Sequence, residues 1–335
     1  MFDFIPSEYF LLAFGFILLI KGGDWFVDAA SGIAKRFKLP ELLIGATVVS
    51  IGTTLPEVMT SAMGAASGAG DIAYGNAIGS IICNTSLIAA ITIAIKPAKA
   101  NKKTLIFPVC FFFGAAAFYV SMSYINGGFP LWSGIVLLCG FVAYMIINVV
   151  NMKRNPETAS AEPEKLESPE LAEDAPSTGA FVKDIVTLVL GALVIAVGAY
   201  LLVENATAIA TQLGVPESVI GLTVVAIGTS LPELVTAITS LVKGHGALSL
   251  GNIIGANMFN LVLVSGVSII LSPFNVPVTS QIGGMNASLV IDLPVMLAVM
   301  LILTVPALIR GKLSRVQGIS LLAIYAAFCT VQFMM

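Results

Sequence analysis

Residues 40–61 read PELLIGATVVSIGTTLPEVMTS and residues 216–237 read PESVIGLTVVAIGTSLPELVTA; laid Pro40 against Pro216, the two stretches share fourteen of 22 positions. Agreement of that length between two apolar segments marks an internal repeat. The match resumes at the same offset, with GNAIGSIICN at 75–84 against GNIIGANMFN at 251–260. The chain is two copies of one unit, and the fold follows from how many membrane spans each copy holds.

Of 335 residues, 57% are hydrophobic and 10% charged, whereas ordinary globular chains carry about 25% charged residues. The apolar residues gather in runs such as 10–20, 131–150 and 293–308, which excludes a soluble enzyme and indicates an integral membrane protein embedded in a lipid bilayer. A net charge of −3 is too sparse for a nucleic-acid footprint. Cys83, Cys110, Cys139 and Cys329 lie in apolar stretches without metal-type spacing, so four buried thiols are expected. The N-terminus has no basic residue before its first apolar run, so that segment is expected to be retained.

Ten spans are predicted, at 8–32, 41–65, 72–95, 104–124, 130–151, 184–208, 217–242, 247–271, 287–309 and 315–335. They divide the chain into a first repeat (1–151, spans one to five), an acidic cytoplasmic linker (152–183) and a second repeat (184–335, spans six to ten). The linker is rich in Glu, Pro, Ala and Ser and reads as a disordered tether. With both termini outside, 15 of 16 basic residues fall in cytoplasmic loops and the sixteenth, Lys21, lies within span one, which fixes the orientation. Five is odd, so the second copy enters the membrane from the opposite side. Charge agrees: KRFKLP at 35–40 is basic and inside, and its counterpart TQLGVP at 211–216 is uncharged and outside. The expected fold is an all-α membrane protein of ten transmembrane helices in two inverted five-helix repeats, a transporter architecture with its site near the midplane.

In each repeat GTTLPE (52–57) or GTSLPE (228–233) interrupts an apolar helix. Proline removes a backbone donor and clashes with the preceding turn, so broken helices are expected at a central ion site. Carbonyls of Ser50, Thr53, Ala226 and Thr229 are the candidates to lose helix partners. Glu57 and Glu233 supply charge, and Thr53, Thr54, Thr229 and Ser230 offer hydroxyls. Ser80 and Asn84 are four apart on one helix face, as are Ala256 and Asn260, while Gly75, Gly79, Gly251 and Gly255 permit close helix approach. Oxygen donors of this kind suit calcium or sodium over zinc or copper.

Two carboxylates about 5 Å apart repel by roughly 3 kcal/mol at an effective dielectric of 20. A divalent ion at about 2.4 Å from each gives an attraction about four times larger per carboxylate before dehydration. The empty site is then the costly state, and reorientation through a dry intermediate needs cations, which yields exchange. A purely structural reading competes: Thr54-x-x-Glu57 and Ser230-x-x-Glu233 both fit a capping box. Elsewhere, Asp24 and Asp28, which lie with Lys21 on or near one face of span one, are expected to form a structural ion pair or an inner-vestibule charge, Asp292 to sit near the start of span nine, His245 to be a solvated loop residue, and Gly64-x-x-x-Gly68 to serve packing.

At these motifs the chain resembles the cation/calcium exchanger superfamily, in particular its prokaryotic sodium/calcium exchanger type. The resemblance spans both halves. It implies a secondary antiporter exchanging calcium for sodium by alternating access, not an enzyme, with no cofactor besides the transported ions. It also implies a protein of the plasma membrane (the prokaryotic inner membrane) that functions as a monomer. By the resemblance, Glu57 and Glu233 bind calcium beside the Thr53 and Thr229 carbonyls. Ser50, Thr54, Ser80, Ala226 and Ser230 line sodium sites, and Asn84 and Asn260 hold the centre. The family commonly has serine at the place of Ala256, and Ile81 against Asn257 breaks the symmetry of the halves. Proton-coupled cation antiport is the alternative coupling, and a calcium-permeable channel the alternative of another class.

Overall fold

Hydrocarbon offers backbone groups no hydrogen-bond partners, so long apolar runs close their bonds within themselves as helices. A computed structural model describes residues 7–37, 39–97, 99–154, 178–213, 226–278 and 281–334. Its helices are α1 (Ser7–Arg36), α2 (Glu41–Ala66), α3 (Gly70–Ile95), α4 (Lys102–Asn126), α5 (Leu131–Arg154), α6 (Thr178–Gln212), α7 (Ala226–Thr229), α8 (Leu231–Val242), α9 (Gly246–Leu271), α10 (Ser288–Arg310) and α11 (Arg315–Met334). Among the described residues, eight helices are long and apolar enough to cross a membrane. The seventh expected span is described only from Ala226 onward, and α11 occupies the tenth.

Helices α5 and α6 reach Arg154 and Thr178, so the ends of the expected linker 152–183 are helical; its remainder, 155–177, lies outside the described residues. Hydropathy falls before the backbone ladder stops, which is why the sequence boundary comes early. Two short ribbons qualify the all-α expectation. β1 (Gly128–Phe129) pairs antiparallel with β2 (Phe274–Asn275), and β3 (Gln281–Ile282) pairs with β4 (Met285–Asn286) across Gly283 and Gly284 at φ +60° and +81°. They form where connections meet at one end of the helices, and the hairpin turn needs the left-handed backbone that glycine adopts freely.

Helices α9, α3 and α2 are the most enclosed, with 83%, 72% and 56% of their apolar windows buried, against 28–39% for the other five spans. The outer helices turn Phe10, Phe14, Ile17 and Ile20 outward; an apolar face this extensive is stable against lipid and not against water.

Glycines set two of the close crossings. On α9, a Cβ at Gly251 or Gly255 would strike the backbone of Leu42 or Ala46 on α2. On α1 and α6, a Cβ at Gly15 would lie 2.9 Å from the Gly198 carbonyl, and one at Gly198 would lie 2.9 Å from the Gly15 carbonyl. Gly75 and Gly79 make no such approach among the described residues; the counterparts of Leu42 and Ala46 in the second copy fall in 214–225, outside them. Gly64 packs against Ile72, whereas Gly68 ends α2 at φ +81°, a turn role and not the expected packing one.

Several expectations are corrected at the helix ends. Lys243, at the end of α8, sits 3.2 Å from Asp24 and 2.8 Å from Asp28; it takes the place expected for Lys21, because α8 packs against α1. His245 is partly buried, its Nδ1 2.7 Å from Glu41 Oε1, because the start of α9 crosses the start of α2. Asp292 lies at the start of α10 as expected and accepts a 2.7 Å bond from Gln332. Of the four cysteines only Cys83 is buried; Cys110 and Cys139 face outward, since an apolar residue on a spanning helix can meet lipid as readily as the core.

The α2–α9 crossing leaves no room for a side chain. Gly251→Leu should lower the thermal unfolding midpoint in detergent by several degrees, for an overpacking cost of roughly 1–3 kcal/mol, whereas Gly114→Leu, at a position with open space, should not. Equal midpoints for the two variants would show that the crossing does not depend on glycine.

Candidate ion-binding site

Both copies of the P-E motif lie at the centre, but they bend the chain differently. Helix α2 continues through Pro56 from Ser50 to Ala66, so the break expected in the first half is absent. The carbonyl that Pro56 displaces belongs to Gly52, where the Phe26 ring packs against the helix. Irregularity moves one turn upstream, where Gly45–Val49 is π-helical. In the second half the break is real. Ser230 takes φ −92°, ψ 9° between α7 and α8, so Pro232 falls in the first turn of α8, where no N–H is needed.

Asn84 and Asn260 each open a π-helical stretch, Asn84–Ala89 within α3 and Asn260–Val264 within α9. Such stretches widen the helix and turn its groups out of register, and they recur at functional sites. The stretch at Asn84 packs against α8 and α9, and the stretch at Asn260 packs against α2 and α3, so each half's irregular turn lies against the other half's P-E helix.

Glu57 and Glu233 are both fully buried. Their carboxyls adjoin across the halves. As carboxylates, both Glu57 oxygens and Glu233 Oε2 have no donor, and no salt bridge among the described residues reaches either acid. The Thr54 hydroxyl donates to Glu233 Oε1 at 3.5 Å, across the halves. This disposes of the capping box: Ser230 makes no cap bond, its hydroxyl is unpartnered, and Thr54 bonds the other half's glutamate instead of its own helix.

Of the remaining residues expected here, Ser50, Thr53, Ser80, Asn84, Ser230 and Asn260 are all buried, and Thr229 is half-buried. Ala226 begins α7. Neither amide atom of Asn84 or of Asn260 has a partner. Buried polar groups are almost always satisfied, and each orphan costs about 1–3 kcal/mol. The stretches that carry these orphans pack against the helices that carry the two acids.

Two asparagines were given no site role from the sequence. Asn252, in the G-N-x-x-G motif, bonds Ser50, Thr53 and Thr236. Its presence in that motif was the available signal, overshadowed by the glycines. Asn257 donates to Thr85 at 2.7 Å and to Met300 Sδ at 3.2 Å, leaving its own oxygen unpartnered. Its counterpart is the apolar Ile81, so pairing the repeats gave it no emphasis. Among the described residues no three His, Cys, Asp or Glu side chains converge. The donors are two carboxylates with amides and hydroxyls, a hard-cation set.

A family model described as "Sodium/calcium exchanger protein" matches residues 7–150 and 183–334. The chain is 33% identical to sodium/calcium exchanger MaX1 of Methanosarcina acetivorans over 355 aligned positions, covering 98% of this chain and 99% of that protein. It is 35% identical to the inner membrane protein YrbG of Escherichia coli over 263 positions, covering 78% of this chain and 79% of that protein. Its fold is similar to solved structures of the sodium-calcium exchanger NCX_Mj; one from crystals soaked with 2.5 mM Na+ and 10 mM Sr2+ gives a TM-score of 0.76 at 32% identity, over 96% of this chain and 97% of that one. Motifs, fold and enclosed acidic pair agree with these likenesses: the chain belongs to the sodium/calcium exchanger protein family.

Proposed function

We propose that the protein is a secondary antiporter that exports calcium from the cytoplasm in exchange for sodium, by alternating access, across the inner membrane of a prokaryote. The observation that carries this reading is the pair of buried carboxylates, Glu57 and Glu233, adjoining without a basic partner. Calcium takes both carboxylates with the carbonyls of Thr53 and Thr229. Sodium takes the same charge through Ser50, Thr54, Ser80, Ala226 and Ser230, and Asn84 and Asn260 supply the central amide oxygens. Because the two ion types draw on the same two negative charges, they compete for one site.

The architecture that suits this reading is ten helices in two inverted repeats, 1–151 and 184–335, with both termini outside, the linker between them on the cytoplasmic side, and function as a monomer. Support comes from repetition of local structure. Helix α3 begins at Gly70 and α9 at Gly246, and the π-helical stretches begin at Asn84 and Asn260; the repeat pairs both sets of positions. Reorientation of a site carrying two bare carboxylates through a dry intermediate costs far more than reorientation of a loaded one. Flux is thereby tied to occupancy, and that distinguishes an exchanger from a channel.

Proteoliposomes preloaded with sodium should accumulate external calcium, and uptake that ignores the internal ion would reject antiport in favour of a channel. Glu57→Gln and Glu233→Gln should each reduce this uptake by about a hundredfold or more while leaving folded protein, since one buried charge then faces the cation without its partner. Retained exchange in either variant would remove that residue from the site.

Asn260→Leu removes two orphaned polar atoms. In chelator without sodium it should unfold at a temperature no lower than the wild type, because filling an unsatisfied polar position with an apolar isostere is neutral or favourable, yet it should gain less thermal stability on adding calcium. A calcium-induced shift as large as the wild type's would place Asn260 outside the site.

A further inference from the structure

The Asn252 side chain, buried on α9, ties helices of both halves together. Its Nδ2 donates to Thr236 Oγ1 at 2.8 Å, and its Oδ1 accepts from Thr53 Oγ1 and Ser50 Oγ, each at 3.3 Å. The direction of these bonds is determined by Thr236. That hydroxyl lies 2.9 Å from the Pro232 carbonyl and 3.0 Å from the Glu233 carbonyl, so its one proton goes to the backbone and its oxygen accepts from the amide. An amide that shows its nitrogen to Thr236 shows its oxygen to Thr53. Ser50 has a nearer acceptor for its own proton, the Gly45 carbonyl at 2.7 Å, which leaves Asn252 Oδ1 chiefly to Thr53.

Besides Asn252, the Thr53 hydroxyl can turn to the Ser50 carbonyl on its own helix, at 3.5 Å, or to the neighbouring Glu233 carboxylate. A hydroxyl carries a single proton. Given to Glu233, that proton occupies electrons a cation needs; given to Asn252, it leaves Glu233 free. We infer that Asn252 is a positioning residue that draws the Thr53 proton away from Glu233, with Thr236 holding the amide in the required orientation, and so strengthens cation binding at the Glu57–Glu233 pair. This rests on the proposed function only in taking that pair as the calcium site.

Calcium titrated calorimetrically into the purified, detergent-solubilised full chain in sodium-free buffer tests the inference without transport. Asn252→Ala should weaken calcium binding by about three- to tenfold, the worth of one hydrogen bond, and adding Thr53→Val, which removes the misdirected proton, should recover most of the loss. Thr236→Val keeps Asn252 but frees its amide to turn, and should show the same loss and the same recovery, which serves if Asn252→Ala folds poorly. Unchanged affinity in both single variants, or a loss that Thr53→Val leaves in place, would overturn the inference. Wild-type protein that binds no calcium defeats the site and the inference together; binding without sodium-driven flux defeats exchange alone; intact binding and exchange with no effect at Asn252 or Thr236 defeats this inference alone.

Discussion

Two carboxylates buried side by side without a basic partner govern this structure. Glu57 and Glu233 are fully buried, and no Lys, Arg or His among the described residues pairs with either. The same chain shows how an acid pair is quieted when its charge is only structural: Lys243 lies within 3.2 Å of both Asp24 and Asp28 at the end of α8. A tethered ammonium at the centre would neutralise the glutamates in the same way and would leave nothing for a mobile ion to do. Leaving the charge uncompensated raises the energy of the pair, and a cation held between the two acids would relieve it.

The backbone is arranged to hold this unfavourable pair in place. Glycines at 251 and 255 bring α9 against α2 closely enough for Asn252 to reach Ser50 and Thr53, so a packing feature becomes a feature of the site. The π-helical stretches at Asn84 and Asn260 act in a related way: a wider turn displaces the amide from the regular helix face, and neither amide finds a partner. Orphaned groups are tolerated because the enclosing helices bury large apolar residues such as Phe112, Tyr119 and Phe259 around them. The surrounding core offsets the local cost.

Much of this was legible before any coordinates. The internal repeat located both acids, Asn84 and Asn260 and the helices that carry them, and hydropathy placed eight of the ten expected spans to within a few residues. Misreadings cluster where a local rule met a nonlocal neighbour. Pro56 did not break its helix, which runs on from Ser50 to Ala66 against neighbours from other segments. Asp24 and Asp28 took Lys243, from the opposite half of the chain, over the adjacent Lys21 on their own helix. His245 found Glu41 instead of solvent, and two of four apolar-run cysteines turned outward. Asn252 stands in the G-N-x-x-G motif, yet its role as a bridge between halves depends on three hydroxyls from two other helices.

The sequence by itself determined that the chain lives in a membrane, that it is two copies of one unit, and which residue types meet at the centre, because hydropathy, repetition and motif chemistry are written along the chain. Only the tertiary structure decided which hydroxyl bonds which carboxylate, which helix stays whole through its proline, and which amides are left unsatisfied. Those outcomes depend on how closely separate helices approach, a distance set by the packing of glycines against backbones that no single segment encodes.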